Sequence, residues 1–573
     1  MIEPKYQTLN ALFADRVFQI PKYQRFYSWQ KKQREDLFGD IRELAKKGED
    51  RHHFMATIVC FRTRDIKSFG SLEYRMYDIV DGQQRLTTLI LIMKAIQKRL
   101  EEGEEKKDIS KILVKGDGNL LLLQTNNANQ QLFNDYLKNG KSPSKDKIKT
   151  YADRNLRDAI QDCERFVSVW LEEGKDLMAL LRLLRNRLGF VVYDTDDNTI
   201  VYSVFEVLNS RGLEVDWLDK SKSALMGRAF ELSKSTAAAT AKIDELNALW
   251  GKIYERLALE PVAGHEVLRV AATIRLGDEA GKPLKAETAL KKFREFCNDA
   301  EKTTTVSTWL YDNADTLVKL QKNRYWEPVV GILQARVLAV SLMLTDTLTE
   351  SEREKALDQW QRVTFRIYGL FGRDSRSKVG DYVRLANNMM NRAEGAKRYS
   401  EIMASLRKLG EDYPIEAAVA EGLSKKNCYE GFAEETRYIL WHYEEHLAES
   451  AGAQINKEIR EEIWQERSAS DTIEHIFPQS PEPGGAWEGK LKKHQRIETH
   501  VHRIGNLILL AEPLNEEARR KGFSEKKNIY AKSEGLRMVK EVMNEKDWRQ
   551  QEIEKRENKI IEWAKTAWAD LPD

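Results

Sequence analysis

The chain has 573 residues, of which 41% are hydrophobic and 32% are charged, yet its net charge at pH 7 is only +2. This composition excludes a disordered or histone-like chain. Any binding to nucleic acid must therefore come from local basic patches rather than from bulk charge. The length predicts two or three domains.

The cysteine content and the apolar runs indicate the compartment. The four cysteines are scattered, which favours neither a zinc site nor a disulfide framework and fits a reducing cytoplasm. The N-terminus has no features of a signal peptide. The longest apolar run, around residues 329–344, contains Gln334 and Arg336 and predicts one buried helix rather than a membrane span. We therefore expect a cytoplasmic protein without a membrane partner.

The predicted elements change character along the chain. Near the N-terminus the pattern predicts strands at 54–62, 74–80 and 190–193, and helices at 37–47 and 86–100. From about residue 217 to 464, Leu, Ala and Trp recur at helical spacing. The predicted class is thus α+β and predominantly helical. Its predicted parts are an N-terminal α/β domain (1–230), a helical connecting region (231–404) and a C-terminal domain (405–573).

A turn near the N-terminus has features of a phosphate site. Residues 77–89 predict a strand, a tight Asp81-Gly82 turn and a helix. Gly82 permits close approach of a ligand to the backbone, and the helix N-terminus favours an anion. Arg85 can add a bidentate contact to phosphate. Taken alone this is a weak signal, because Asp-Gly often precedes a helix.

A second extended segment lies upstream of this turn. Residues 20–29 read Ile-Pro-Lys-Tyr-Gln-Arg-Phe-Tyr-Ser-Trp, with aromatic side chains alternating along the segment. Such alternation is typical of a packed strand face. It is equally compatible with a surface that reads a modified base, and both interpretations stay open here.

The C-terminal region carries the residues of a hydrolytic site. Residues 472–479 read Thr-Ile-Glu-His-Ile-Phe-Pro-Gln, and residues 502–510 read His-Arg-Ile-Gly-Asn-Leu-Ile-Leu-Leu. Cleavage of a phosphodiester needs an activated water and a cation at the leaving oxygen. Histidine suits the first task, and hard oxygen ligands suit Mg²⁺ for the second. Adjacent strand residues point to opposite faces, so Glu474 and His475 can share a centre only if the strand ends there, as Pro478 indicates.

Two asparagines complete this pattern. Asn506 is predicted in a second strand, and Asn515 follows nine residues later in the first turns of a helix. Each residue has an ordinary interpretation by itself, since an Asn after Gly is commonly a turn residue. Their order and spacing together favour a single-metal, His-activated nuclease.

This arrangement resembles the HNH (ββα-metal) nucleases, most closely the HNH domain of GmrSD-type modification-dependent (type IV) restriction enzymes. The resemblance implies that His475 is the general base and that Glu474 and Asn515 are ligands of Mg²⁺ or Mn²⁺. Asn506 would hold the loop that bears the base. Glu474 stands where many HNH nucleases have Asp, so the metal position is expected to differ slightly.

The N-terminal motifs resemble the ParB/sulfiredoxin-like domain of the same enzymes, which binds and hydrolyses nucleoside triphosphate. A third matching element is Phe205-Glu206 with Asn209-Ser210-Arg211-Gly212, which closes over the nucleotide in that family. Ala56 departs from the Gly often found in relatives. The resemblance implies the following nucleotide-binding residues: Gln24, Arg25, Asp81, Gly82, Gln83, Gln84, Arg85, Asn209 and Arg211.

Basic residues concentrate in the C-terminal domain, where a nuclease needs cations along the phosphate track. The alternative is a solvated helix face, because acidic residues interleave with them. His502 is expected to pack or hydrogen-bond beside Asn506. The predicted DNA-binding residues are Lys492, Lys493, Arg503, Arg519, Lys526 and Lys527.

Three functions are compatible with these motifs. The first is an NTP-regulated endonuclease that cuts modified phage DNA. The second is a non-catalytic, nucleotide-dependent DNA-binding regulator, and the third is a nuclease toxin without modification sensing. The intact residues Glu474, His475, Asn506 and Asn515 argue against the second, and the intact 81–85 element argues against the third. The sequence leaves open whether the protein is a homodimer.

Overall fold

A computed structural model of the chain describes residues 4–14, 16–21, 24–47, 51–69, 72–115, 120–125, 130–196, 216–277, 281–323, 326–391, 398–425, 427–464, 468–491, 499–533 and 535–572. Its contacts form two compact units. The first comprises residues 1–272 and 284–319, and the second comprises residues 273–283 and 320–573. The three-domain division predicted from the sequence stays a prediction.

Ten strands are present in the described residues. They are β1 (Lys5–Thr8), β2 (Arg16–Ile20), β3 (His53–Phe69), β4 (Leu72–Asp81), β5 (Val114–Lys115), β6 (Leu120–Leu121), β7 (Leu123–Thr125), β8 (Leu188–Thr195), β9 (Ile473–His475) and β10 (Leu507–Leu509).

The first unit is built on a six-stranded mixed sheet with strand order β1-β8-β3-β4-β2-β7. Strands β3 and β4 form a long antiparallel hairpin, whereas β2 runs parallel to both β4 and β7. A register shift between Val59 and Cys60 interrupts the hairpin opposite the end of β4. The end of β4 is thereby placed at the start of the Asp81-Gly82 turn.

One helix of the first unit forms the centre of its core. Helix Gln83–Arg99 carries four consecutive residues, Ile90 to Met93, that have no exposed surface. A helix that is apolar on all sides must be enclosed by other elements, and this one packs against helix Tyr151–Glu172. The enclosed position makes the N-terminal end of the helix, at Gly82, a rigid platform.

Further helices lie in the first unit or begin in it. They are Leu9–Phe13, Lys31–Ala45, Glu104–Leu113, Gln130–Asn139, Leu177–Asn186, Trp217–Glu231, Thr236–Leu257, Gly264–Leu276, Ala286–Phe296 and Ala300–Lys322, with a 3₁₀ turn at Lys145–Lys147.

The second unit is almost entirely helical apart from the β9–β10 hairpin. Helices Ala433–Ser450, Glu512–Ala518 and Arg537–Asn544 pack against the hairpin, and helix Gln550–Ala567 packs against the 3₁₀ turn before β10. The helices are Glu327–Val330, Leu333–Leu344, Glu350–Thr364, Val379–Asn391, Tyr399–Leu409, Ile415–Leu423, Ala433–Ser450, Lys457–Trp464, Ala469–Thr472, Glu512–Ala518, Phe523–Tyr530, Arg537–Asn544 and Gln550–Ala567, with a π-helical turn at Phe365–Leu370 and a 3₁₀ turn at Ile504–Asn506.

The predominantly helical α+β class is confirmed. The predicted helix around residues 329–344 is in fact two helices, Glu327–Val330 and Leu333–Leu344, separated at Gly331. Glycine lowers helix stability relative to other residues, which explains the break at this position. The second of these helices is buried, as predicted. Among the described residues, no helix is long and apolar enough to cross a membrane.

Candidate functional site

The predicted nuclease residues meet at the β9–β10 hairpin. In this hairpin His475 pairs with Leu507, and Glu474 pairs with Ile508. Strand β9 ends at His475, as the following proline predicted, and both side chains reach one cavity of about 390 Å³. The residues that line the cavity are Tyr429, Ser470, Asp471, Ile473, Glu474, His475, Pro478, Gln479, Ser480, Glu512, Asn515, Glu516, Arg519 and Arg520.

Glu474 is held by a buried polar network. Its Oε1 atom accepts hydrogen bonds from Nζ of Lys526 at 2.5 Å and from the hydroxyl of Tyr530 at 2.9 Å. Lys526 also donates to the backbone oxygen of His475 at 2.6 Å. Burial raises the pKa of the Glu474 carboxyl, and the ammonium of Lys526 opposes this shift. The network fixes the direction of the carboxylate and places both contacts on one of its two oxygens.

This network corrects one expectation about DNA binding. Lys526 was expected on a basic surface, but its side chain has no exposed area. Burial lowers the pKa of its ammonium, while Glu474 counteracts that effect. Lys526 therefore neutralises the Glu474 carboxylate inside the unit instead of facing a phosphate.

His475 is buried and held from both ring nitrogens. Its Nε2 lies 3.1 Å from Nδ1 of His502, and Nε2 of Gln479 lies 3.1 Å from its Nδ1. Burial, together with the neighbouring His502 and Lys526, lowers the pKa of His475 to about 3. The imidazole is therefore neutral near pH 7, which is the state that accepts a proton from water.

The sequence predicted Asn506 within the second strand, but the residue lies in the 3₁₀ turn just before β10. Its Oδ1 accepts hydrogen bonds from the backbone N–H of Phe477 at 2.8 Å and from the indole of Trp548 at 3.0 Å. Its Nδ2 donates to the backbone oxygens of Phe477 and Val501. The buried amide thus ties down the loop that follows His475.

Asn515 lies on helix Glu512–Ala518 and lines the cavity beside Glu474. Its Nδ2 donates to the backbone oxygens of Asp471 at 2.9 Å and of Ile473 at 3.3 Å. These two contacts use the nitrogen of the amide, so the carbonyl oxygen is the atom suited to ligate a cation.

The donor set fits a hard divalent cation. Glu474 and Asn515 supply oxygen ligands, which Mg²⁺ prefers, and Asp471, Glu512 and Glu516 add carboxylates to the cavity wall. No group of three His, Cys, Asp or Glu side chains in the described part of the chain is arranged to hold a metal by itself. Such a site suits Mg²⁺, which commonly combines one or two protein ligands with water and substrate phosphate.

The remaining predicted DNA-binding residues occupy different environments. Arg503 forms two 2.8 Å contacts with Glu557, which commit its guanidinium to the protein. Arg519 is largely exposed at the cavity rim and has the unusual backbone angle φ of +26°. Lys527 packs over the ring of Phe523. Lys492 and Lys493 lie outside the described residues.

Several residues at the cavity were not assigned to the site from the sequence, and four of them matter for the argument below. Arg520, Gln479 and Tyr429 line the cavity, and His502 contacts His475. Gln479 stands four residues after His475, so its closeness had a local signal. Tyr429 had none, because it precedes the motif by more than forty residues.

The first unit contains a second cluster, at the turn between β4 and helix Gln83–Arg99. Gly82 has φ of +92°, and an added Cβ would come within 3.2 Å of Ile58. Glycine is therefore required at this position for both conformation and space. Asp81, Gly82 and Arg85 lie together, partly buried, at the N-terminal end of the enclosed helix.

The three predicted glutamines bind the protein's own backbone. Gln24 donates to the oxygen of Val80 at 3.0 Å, and Gln83 donates to the oxygen of Arg25 at 3.2 Å. Gln84 donates to Phe26 at 2.9 Å and accepts from the N–H of Ser28 at 2.8 Å. These contacts fasten the extended segment of residues 24–28 to the turn, which places Arg25 beside Asp81.

Arg25 is the centre of a partly buried charge cluster. Its Nε lies 3.2 Å from Oδ2 of Asp219, whose Oδ1 accepts a 2.5 Å hydrogen bond from Tyr254. Burial opposes the charge of Arg25, but Asp219 and Asp216 raise its pKa above the ordinary value. Asp219 and Tyr254 were not predicted, because the helices that carry them are distant in the sequence.

The surroundings of this cluster leave room for a ligand. Burial lowers the pKa of Arg85 and raises that of Asp81, and each opposes the shift of the other. A cavity of about 100 Å³ beside Arg25 is lined on its polar side by Asn155 and Asp216. Asn209 and Arg211 lie outside the described residues.

Two models of known protein families match the chain, one in its N-terminal part and one in its C-terminal part. Residues 9–226 match the GmrSD restriction endonuclease N-terminal domain, and residues 413–563 match the GmrSD restriction endonucleases C-terminal domain. No curated protein matches the chain.

These matches define the protein as a restriction nuclease, whose substrate is DNA. The chain belongs to the GmrSD restriction endonuclease family, and the resemblance seen in the sequence is confirmed. Restriction nucleases of this kind generally depend on a divalent metal.

The buried Glu474–Lys526 pair generates a stability prediction. Replacing Lys526 by Met leaves a buried carboxylate without its cation, and we expect a loss of about 3 kcal/mol in the free energy of unfolding. Lys527→Met is the matched control, because Lys527 is on the same helix and is partly exposed. Urea denaturation of the full chain, followed by circular dichroism, measures both. Equal stability of the two variants would contradict the buried pair.

Proposed function

We propose that this protein is an NTP-regulated, modification-dependent endonuclease of bacterial anti-phage defence, with an HNH (ββα-metal) nuclease site. One observation carries the proposal: a neutral, buried His475 and the oxygen donors of Glu474 and Asn515 line a single cavity with Arg519 and Arg520. A strand pair followed by the helix that bears Asn515 has the order of a ββα-metal site.

The geometry assigns a task to each side chain. Gln479 lines the cavity and contacts Nδ1 of His475, so Nδ1 is the nitrogen on the cavity side. When Gln479 yields this position to a water molecule, Nδ1 removes a proton from the water as it attacks phosphorus. Mg²⁺ or Mn²⁺, when held by Glu474 and Asn515, would stabilise charge on the phosphate and the leaving oxygen.

The rim of the cavity supplies positive charge for the DNA backbone. Arg519 and Arg520 both line it, and Arg519 is 71% exposed. Phosphate contacts of this kind position DNA without reading its sequence. Selection of modified DNA therefore falls to surfaces other than this cavity.

The cluster in the first unit supports the nucleotide part of the proposal. Gly82 begins an enclosed helix whose N-terminus favours an anion, and Arg25 and Arg85 flank the turn. A phosphate at Arg25 would compete with Asp219 for the guanidinium. Nucleotide binding would thereby change the contacts of helix Trp217–Glu231, and it can regulate the nuclease only through such a difference in affinity between two states.

Cleavage assays test the nuclease proposal directly. We expect wild-type protein with Mg²⁺ and NTP to cut one of three matched phage DNAs: unmodified, glucosylated at hydroxymethylcytosine, or phosphorothioated. His475→Ala should reduce cleavage at least about 100-fold, because a positioned general base contributes that much or more. His446→Ala, a substitution on helix Ala433–Ser450, is the control.

The other outcomes of this assay would each point elsewhere. Equal cutting of all three DNAs would indicate a nuclease without modification sensing. Absence of cutting by wild type under every condition would favour a DNA-binding regulator.

The two pKa shifts at the site predict an unusual pH profile. His475 is neutral above a pKa of about 3, so its protonation cannot cause a loss of activity near pH 6. Glu474 has a raised pKa and must be ionised to hold metal, so acid should inactivate the enzyme by displacing the cation. We expect the acidic limb of the plot of kcat/KM against pH to move to lower pH when the Mg²⁺ concentration in the assay is raised about 20-fold. A limb near pH 6.5 that ignores Mg²⁺ would contradict this assignment.

Substitution of Arg85 tests the nucleotide site. Loss of one charge-assisted phosphate contact costs about 1.5–3 kcal/mol, so Arg85→Met should weaken NTP binding roughly 10- to 100-fold. Arg182→Met, at an exposed ion pair of the same unit, is the matched control. Isothermal titration calorimetry measures both. If Arg85→Met bound NTP with unchanged affinity, the Asp81-Gly82 turn would not be part of the nucleotide site.

A further inference from the structure

A row of hydrogen-bonding groups extends from the cavity through His475 to the protein surface. Gln479 contacts Nδ1 of His475, and Nε2 of His475 contacts Nδ1 of His502 at 3.1 Å. On the far side of His502, its Nε2 lies 3.8 Å from Oε1 of Glu430. His502 is not among the cavity residues, so it stands behind His475 with respect to the substrate.

The donors and acceptors in this row define one tautomer of each ring. The amide nitrogen of Gln479 can only donate, so Nδ1 of His475 accepts and its proton resides on Nε2. That Nε2–H then donates to Nδ1 of His502, which must be unprotonated. The remaining proton of a neutral His502 is on Nε2, facing the carboxylate of Glu430.

The ring of His502 is held rigidly in this orientation. Tyr429 stacks on it with ring centroids 5.6 Å apart and planes inclined by 6°. The same tyrosine meets the ring of His475 edge-on at 4.6 Å. The backbone oxygen of His502 accepts a 2.8 Å hydrogen bond from the N–H of Cys428. Residues 428–430 therefore hold the ring and the backbone of His502 in place beside His475.

We propose that His502 is a positioning residue. It fixes His475 in the tautomer that has a lone pair on Nδ1, the nitrogen that faces the substrate. The proposal rests on the nuclease function proposed above. It follows from the hydrogen-bonding rules for imidazole, because the partner of one ring nitrogen decides which nitrogen bears the proton.

The alternative role for His502 is simple packing, and energetics separate the two. An apolar side chain at position 502 would leave the buried Nε2–H of His475 without an acceptor, at a cost of the order of 1–3 kcal/mol. The ring would then shift to the other tautomer, whose Nδ1–H donates to the side-chain oxygen of a reoriented Gln479. In that form Nδ1 has no lone pair for the proton of water. If His502 served only for packing, its replacement by another aromatic ring would leave the tautomer of His475 unchanged.

Two variants of His502 test the proposal in the full-length protein. His502→Asn keeps an acceptor, Oδ1, close to the former position of Nδ1, whereas His502→Phe keeps an aromatic ring for Tyr429 but removes the acceptor. We expect His502→Phe to lower kcat about 10- to 100-fold with KM changed less than about threefold, the size of effect that follows removal of the hydrogen-bond partner that orients a metal-bound histidine. His502→Asn should recover most of that loss.

His500 provides the matched control. It is buried in the same loop and contacts Thr499, Arg503 and Glu554. His500→Phe should therefore disturb the loop without changing kcat by more than about threefold. Equal loss of kcat in His500→Phe and His502→Phe, or no rescue by His502→Asn, would overturn the positioning role.

A spectroscopic measurement tests the tautomer without relying on cleavage. In protein labelled with ¹⁵N-histidine, the ring nitrogens of His475, assigned with His475→Ala, should show the proton on Nε2 in wild type and in His502→Asn. In His502→Phe the proton should move to Nδ1. An unchanged tautomer in His502→Phe would refute the inference even if the nuclease proposal holds. If wild type cuts no DNA while the tautomer shifts as expected, the nuclease proposal fails and the positioning role stands.

Discussion

The buried contact between Glu474 and Lys526 is the constraint on which the proposed nuclease site depends. A carboxylate at the end of β9 has to stay ionised and directed at the cavity, although it is surrounded by protein. Lys526 makes this possible by supplying a charge from inside the unit, and it also holds the backbone oxygen of His475. The same helix carries Tyr530, which donates to the same oxygen of Glu474. One helix thus sets the position of both Glu474 and His475, and the cavity forms where their side chains emerge.

The other polar contacts extend this constraint outward in layers. Asn506 ties the loop after His475 to the indole of Trp548, and Arg556 of the C-terminal helix donates to three backbone oxygens around that turn, those of Ile504, Gly505 and Leu507. A site held by such buried hydrogen bonds is rigid, because each unmet group would carry a large desolvation cost. In the first unit the glutamines of the Asp81-Gly82 turn do the same for Arg25. Both candidate sites therefore use amide side chains to hold backbone segments in place.

The sequence predicted those parts that depend on local rules. Strand β9, its end before Pro478, the helix that bears Asn515 and the helix after Gly82 all follow from spacing, turn chemistry and capping. The family, too, was recognisable from short motifs, because their residues must keep a fixed order to share one centre. The prediction for Lys526 was wrong because a lysine in a basic stretch has no local mark that separates a buried counter-ion from a surface cation. Its partner, Glu474, is more than fifty residues away.

By itself the sequence determined the class of the fold, the existence of two motif clusters and the chemical types of residue in each. Only the tertiary structure decided which nitrogen of His475 faces the cavity, which oxygen of Glu474 is taken by Lys526, and that Asp219 and Tyr254 surround Arg25. The physical reason is that spacing along a strand or helix encodes the face a residue occupies. Which residue it contacts there is set by packing between elements that are distant in the chain. This packing also decides which charges are buried and how their pKa values shift.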